Sequence, residues 1–97
     1  MTTEQIKQLC GDILIYVEMG SRDMPSSAKA NADAIRDIAT HIYEKPTDVV
    51  EWSESLYKII SGLYEMAKYY DSDGVNNYKC ALDFASRLYD GVREMRP

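Results

Sequence analysis

Residues 36–41, read RDIATH, combine side chains that act on phosphate esters. Arg36 carries a planar guanidinium whose fork of donors fits phosphate oxygens. His41 is the chain's single histidine, and histidine is the side chain that most readily exchanges protons near neutral pH. With Asp37 directly after the arginine, these residues are the first candidates for a catalytic site.

The spacing R-D-x-x-x-H resembles the signature of the HEPN ribonucleases, which are helical bundles of similar or slightly larger size. The resemblance implies metal-independent RNA cleavage in a site assembled from two copies of the motif across a dimer. It also implies that Arg36 would hold the phosphate and that His41 would be the general acid or base. Asp37 would occupy the polar position after the arginine.

An ordinary solvated helix is the alternative interpretation of the same residues, and we favour it. Positions five apart on a helix point about 140° away from each other, so Arg36 and His41 flank opposite edges of the apolar stripe. Lys29, Asp33, Arg36 and Asp37 would then form spaced surface ion pairs, each contributing little to stability.

Acidic side chains cluster at the start of the third apolar segment, at Asp48, Glu51 and Glu54. A spacing of three places them on one helical face, but no histidine or cysteine accompanies them. Acids in the first turns of a helix are also favoured by its dipole. We therefore predict a solvated helix start, with no metal site and no cofactor.

Apolar residues recur at helical spacing in four segments, separated by turn-forming residues. The third has the clearest stripe: Val49, Trp52, Leu56, Ile59, Leu63, Met66 and Tyr70. The pattern predicts an all-α, single-domain antiparallel four-helix bundle, up-down-up-down, over residues 1–97. The predicted helices span approximately residues 2–19, 26–44, 48–70 and 73–96.

Two details of this bundle stay open in the sequence. Residues 13–17, read ILIYV, suit either a helix or a short buried strand, although no second strand is available to pair with them. Gly11, Gly62 and Gly91 interrupt three of the helices, and each marks either a close helix crossing or a hinge.

Composition bounds the class of partner and the compartment. The 16 acidic and 11 basic residues give a net charge of −5, the wrong sign for attraction to nucleic acid or anionic membranes. Cys10 and Cys80 are too few for a disulfide framework and match no metal spacing, so we expect free thiols in the cytoplasm. We expect no secretion signal and no membrane span.

Eight tyrosines are many for 97 residues. Tyr57, Tyr64 and Tyr69, with Lys68 nearby, lie beside or at the end of the third apolar stripe. A tyrosine at a stripe edge buries its ring and wets its hydroxyl, which suits boundary packing and partner binding equally well. As a set, these four residues are the predicted partner-binding face.

The sequence therefore predicts a small, acidic, regulatory protein-binding module, such as an adaptor, an inhibitor or an immunity-type factor, without catalytic activity of its own. The first alternative is a dimeric HEPN-like ribonuclease, or an inactive relative, using Arg36, Asp37 and His41. The second alternative is a structural homo-oligomer, and a homodimer is compatible with all three hypotheses.

Overall fold

A computed structural model describes residues 1–22 and 24–95 of the chain, the side chain of Met95 excepted. This part of the chain is all-helical, with four α-helices and no strand. Short 3₁₀ turns, Ser26–Ala28 and Pro46–Asp48, lead directly into the second and third helices. The predicted end of the fourth helix at Arg96 lies outside the described residues. The helices are α1 (Thr3–Ser21), α2 (Lys29–Glu44), α3 (Val49–Tyr69) and α4 (Val75–Met95).

Local sequence signals account for the first helix. Thr2 and Gln5 form a capping box, in which the Gln5 amide donates to Thr2 Oγ1 at 3.1 Å and the Thr2 amide donates to Gln5 Oε1 at 2.8 Å. The ambiguous residues 13–17 are helical and lie inside α1. Ile13 and Val17, four positions apart, both face the core, as helical periodicity requires.

The four helices pack around one hydrophobic core. Helix α1 packs on α2 and α4, and α3 packs on the same two helices. Every helix contributes buried side chains, so none is peripheral. No helix within the described residues combines the length and apolarity needed to cross a membrane. The largest buried side chains include Tyr78, Ile13, Ile35, Ile42, Leu56, Ile60, Leu63 and Leu88.

The predicted stripe of α3 is wrong at Trp52 and Tyr70, which are 37% and 52% exposed. Relative to the predicted orientation, α3 is rotated about its axis, so that Ser53 is buried in place of Trp52. Two small residues on the buried face, Ser53 and Ala67, leave room for neighbouring helices to approach, whereas an indole would fill that space. The buried face of α3 consists of Val49, Ser53, Leu56, Ile60, Leu63 and Ala67.

Ser53 is buried at 1% exposure, and its hydroxyl has no hydrogen-bond partner. An unsatisfied buried hydroxyl costs about 1–3 kcal/mol, so we expect Ser53→Ala to raise the free energy of unfolding by about 1 kcal/mol or more. Urea unfolding measures the change. Ser55→Ala, at an exposed position of the same helix, controls for alanine's higher helix propensity. An equal gain in both variants would contradict the prediction.

Close helix contact occurs at glycines other than those that the sequence singled out. No atom of a neighbouring residue would lie within 4 Å of a Cβ added at Gly11 or Gly62, so neither marks a close crossing. The three atoms nearest to a Cβ on Gly91 would all belong to the flexible side chain of Met1. By contrast, Gly20 at the end of α1 and Gly74 before α4 bring two backbones together.

Candidate functional site

The RDIATH residues lie in α2 but do not form one site. Arg36 lines a groove between α1 and α2, beside Leu14, Val17 and Ala32. Its guanidinium Nη1 lies 3.6 Å from Asp33 Oδ1, in a pair that is largely exposed and therefore weak. This part of the motif is an ordinary helix surface with a spaced ion pair.

His41 lines a different groove, between α2 and α3, together with Asp37 and Trp52. Its Nε2 donates to Asp48 Oδ2 at 2.8 Å, and Asp48 also lies 3.9 Å from Lys45 Nζ. The imidazole meets the indole of Trp52 edge-on, with ring centroids 6.0 Å apart. His41 thus links the end of α2 to the start of α3.

Within one chain, this geometry separates the two residues that a phosphate-cleaving site would need to combine. Arg36 and His41 line separate grooves, and the Nε2 atom of His41 is engaged by Asp48. Within residues 1–22 and 24–95, no three His, Cys, Asp or Glu side chains are grouped closely enough to hold a metal ion. The acids at Asp48, Glu51 and Glu54 lie in the 3₁₀ turn and the first turns of α3.

Two of the four residues of the predicted partner-binding face are partly buried. Tyr57 packs against the core and stacks on Tyr89 of α4, with ring centroids 5.8 Å apart. Tyr64 also packs against the core. Sequence reasoning did not include Tyr89 and Arg93 among the residues beside this face. The guanidinium carbon of Arg93 lies 5.9 Å from the Tyr89 ring centroid. The one sequence feature that indicates their contact is their spacing of four positions, which places both on the same side of α4.

The end of α3 presents the most exposed aromatic residues. Tyr69 is 83% exposed and Tyr70 is 52% exposed, with their rings edge-to-face at 5.1 Å. Lys68 Nζ lies 4.9 Å from the Tyr64 ring centroid and 3.2 Å from Glu65 Oε1. We call Tyr64, Lys68, Tyr69 and Tyr70 the tyrosine surface. The sequence placed Tyr70 in the core stripe of α3, whereas the structure leaves it exposed.

A Schellman turn fixes the tyrosine surface. Asp71 has a positive φ of 50°, and its amide donates to Lys68 O at 3.2 Å, while the Ser72 amide donates to Ala67 O at 3.0 Å. Aspartate tolerates this left-handed conformation better than most residues. The hydrogen-bonded turn holds the backbone at Tyr69 and Tyr70, so these rings project from an ordered helix end.

The described residues thus define a class: a small all-helical protein with two exposed tyrosines side by side at the end of α3, on a chain with a net charge of −5. No protein-family model matches the chain, and neither a curated protein nor a solved structure is significantly similar to it.

Proposed function

We propose that this protein is a small, acidic, regulatory binding module that acts by docking a partner protein and has no catalytic activity of its own. The observation that carries the proposal is the exposure of Tyr69 and Tyr70, at 83% and 52%, side by side on an ordered helix end. An adaptor, an inhibitor or an immunity-type factor would each act in this way.

Tyrosine suits such a role because a large, rigid ring is buried on docking at little entropic cost, while the hydroxyl finds a partner. Aromatic residues are enriched in the buried centres of protein interfaces. Lys68, which is paired with Glu65 and lies over the Tyr64 ring, adds a donor that a partner's carboxylate could share. A protein surface that offers an apolar pocket and a carboxylate would complement this arrangement.

The ribonuclease alternative has less support. It requires an arginine and a histidine to meet at one phosphate, whereas Arg36 and His41 line different grooves and His41 donates to Asp48. A dimer would have to bring Arg36 of one copy to His41 of the other. The net charge of −5 also opposes the approach of RNA.

We further propose that the helices run up-down-up-down and that the protein works in the cytoplasm. The Met1 side chain lies at Gly91 and Gly20 lies at Gly74, which supports opposite directions for α1 and α4. Short connections between consecutive helices favour the same alternation for the other neighbours. Cys10 and Cys80 are both free thiols, which supports a reducing compartment.

The test is affinity capture with the purified protein as bait, in lysate of its source cells. We expect a stoichiometric partner that is retained by the wild type and lost, by at least about tenfold in amount, with Tyr69→Ala/Tyr70→Ala. Both side chains are exposed, so the variant should keep wild-type helicity in circular dichroism.

Tyr43→Ala is the matched control, because Tyr43 is an exposed tyrosine on α2 with Lys7 Nζ 5.4 Å from its ring centroid. Retention of the partner by this variant alone would assign binding to the tyrosine surface. Equal capture by all variants would refute that assignment. RNA cleavage that disappears in His41→Ala would replace the proposal with the nuclease alternative.

A further inference from the structure

A second surface, separate from the tyrosine surface, lies in the groove between α2 and α3. The groove has a volume of about 370 Å³ and is lined by Ala34, Asp37, Ile38, His41 and Trp52. We call it the Trp52 groove. Trp52 precedes Tyr69 by seventeen positions on α3, a rise of about 25 Å along the helix, so one small ligand does not span both surfaces.

The register of α3 exposes Trp52 at the expense of folding. The indole is 37% exposed, while the neighbouring Ser53 is buried with an unpartnered hydroxyl. Both placements are unfavourable for stability: about a third of the indole side chain stays in water and a polar atom leaves it. Local conflicts of this kind concentrate at functional sites, where binding rather than folding accounts for the arrangement.

The chemistry of the groove selects a cation. Asp37 is exposed and has no ion-pair partner among the described residues, and it lines the same groove as the indole. A lysine or arginine side chain between them would contact a carboxylate on one side and the face of an indole on the other. Of the aromatic side chains, the indole of tryptophan attracts cations most strongly. The net charge of −5 would also favour a basic partner over an acidic one.

We infer that the Trp52 groove docks a basic segment of a partner protein, which inserts a lysine or arginine between the Trp52 indole and the Asp37 carboxylate. Ala34 and Ile38 would receive the apolar part of the same segment. This inference goes beyond the proposed function, because it names a second surface and the chemistry of its ligand, and it does not depend on the tyrosine surface.

The experiment titrates the whole chain into a short fluorescein-labelled peptide rich in lysine and leucine, and follows anisotropy. Trp52 is the single tryptophan, so its own emission is a second readout in titrations with unlabelled peptide. We expect saturable binding, a shift of Trp52 emission to shorter wavelength as the indole leaves water, and weakening by salt. The same peptide with glutamate in place of lysine should not bind.

Two variants with matched controls assign the binding to this groove. We expect Trp52→Ala to weaken peptide affinity at least about tenfold, whereas Tyr69→Ala leaves it unchanged. Asp37→Asn should weaken it about threefold, as for an exposed ion pair. Asp90→Asn makes the same change of charge at an exposed position of α4 and should have no effect.

Four outcomes would overturn the inference. They are the absence of saturable binding, equal binding of the glutamate peptide, equal effects of Asp37→Asn and Asp90→Asn, and an emission shift of Trp52 that rises with protein concentration without peptide. The last would mean that a second copy covers the groove. If the wild type captures no partner whose retention depends on Tyr69 and Tyr70, while peptide binding is intact, only the proposed function is refuted.

Discussion

Gly74→Ala is expected to lower the free energy of unfolding by about 2 kcal/mol. A Cβ at this position would lie 2.9 Å from both Cα and the carbonyl carbon of Gly20, and closer still to its carbonyl oxygen. These are backbone atoms, which cannot rotate away as a side chain would. The end of α1 and the start of α4 would therefore have to separate beside Tyr78, whose hydroxyl lies 2.8 Å from Ser21 Oγ.

Alanine variants of three other glycines are the controls for this prediction, with the free energy of each measured by urea unfolding. Gly11→Ala and Gly62→Ala meet nothing within 4 Å, so each should raise stability by about 0.5–1 kcal/mol through helix propensity. Gly20→Ala should fall between, because its Cβ would lie 3.0 Å from Tyr78 Cε1 and 3.2 Å from Gly74 O. A Gly74→Ala variant as stable as Gly11→Ala would mean that the two backbones are not in close contact.

The helices themselves could be predicted from local signals, whereas these glycine contacts could not. Periodicity and turn residues act within a few positions, which is why the capping box at Thr2 and the existence of four helices follow from the sequence, whereas only the structure shows that residues 13–17 are helical. The approach of Gly20 to Gly74 depends instead on how two helix ends meet in space. Gly11 and Gly62, which the sequence singled out as possible close crossings, face open space.

The burial pattern of α3 shows a second limit. Hydrophobicity alone ranks Trp52 far above Ser53 for a buried position, and the structure reverses that order. The face of α3 that is buried depends on the space that the neighbouring helices leave, and this space is set by the packing of all four helices. The Trp52 groove was therefore invisible in the sequence, although its members Asp37 and His41 had been singled out for a different chemistry.

The RDIATH motif shows why residue types need geometry before they imply a reaction. The angular separation of Arg36 and His41 on one helix already followed from their spacing. The hydrogen bond from His41 to Asp48 did not, because Asp48 lies outside α2, in the 3₁₀ turn that leads into α3. For the tyrosines, too, only part of the arrangement followed from the sequence. The sequence placed Tyr57 and Tyr64 beside the core, as the structure shows, but only the structure shows that Tyr69 and Tyr70 are the more exposed pair.

Alkaline pH is expected to destabilise the protein through Cys10, by about 1.4 kcal/mol at pH 10 and about 2 kcal/mol at pH 11. Burial raises the pKa of this thiol from 9.0 to about 11. The unfolded chain therefore loses the proton at lower pH than the folded chain. The contribution to stability is complete below pH 9 and is lost as the pH rises through about 11.

Urea unfolding of the reduced protein at several pH values between about 8 and 11 measures this loss. Cys10→Ala should be less stable near pH 8, because it leaves a small cavity, but its stability should fall less steeply, so that the two curves converge as the pH rises towards 11. Cys80→Ala, at a partly exposed position, should keep the wild-type slope. Burial also raises the pKa of Tyr78 above 10.0, so Tyr78 would account for part of any slope that remains in Cys10→Ala. Parallel curves for wild type and Cys10→Ala would mean that the Cys10 thiol titrates alike in the folded and unfolded chains, and hence that water reaches it in the folded state.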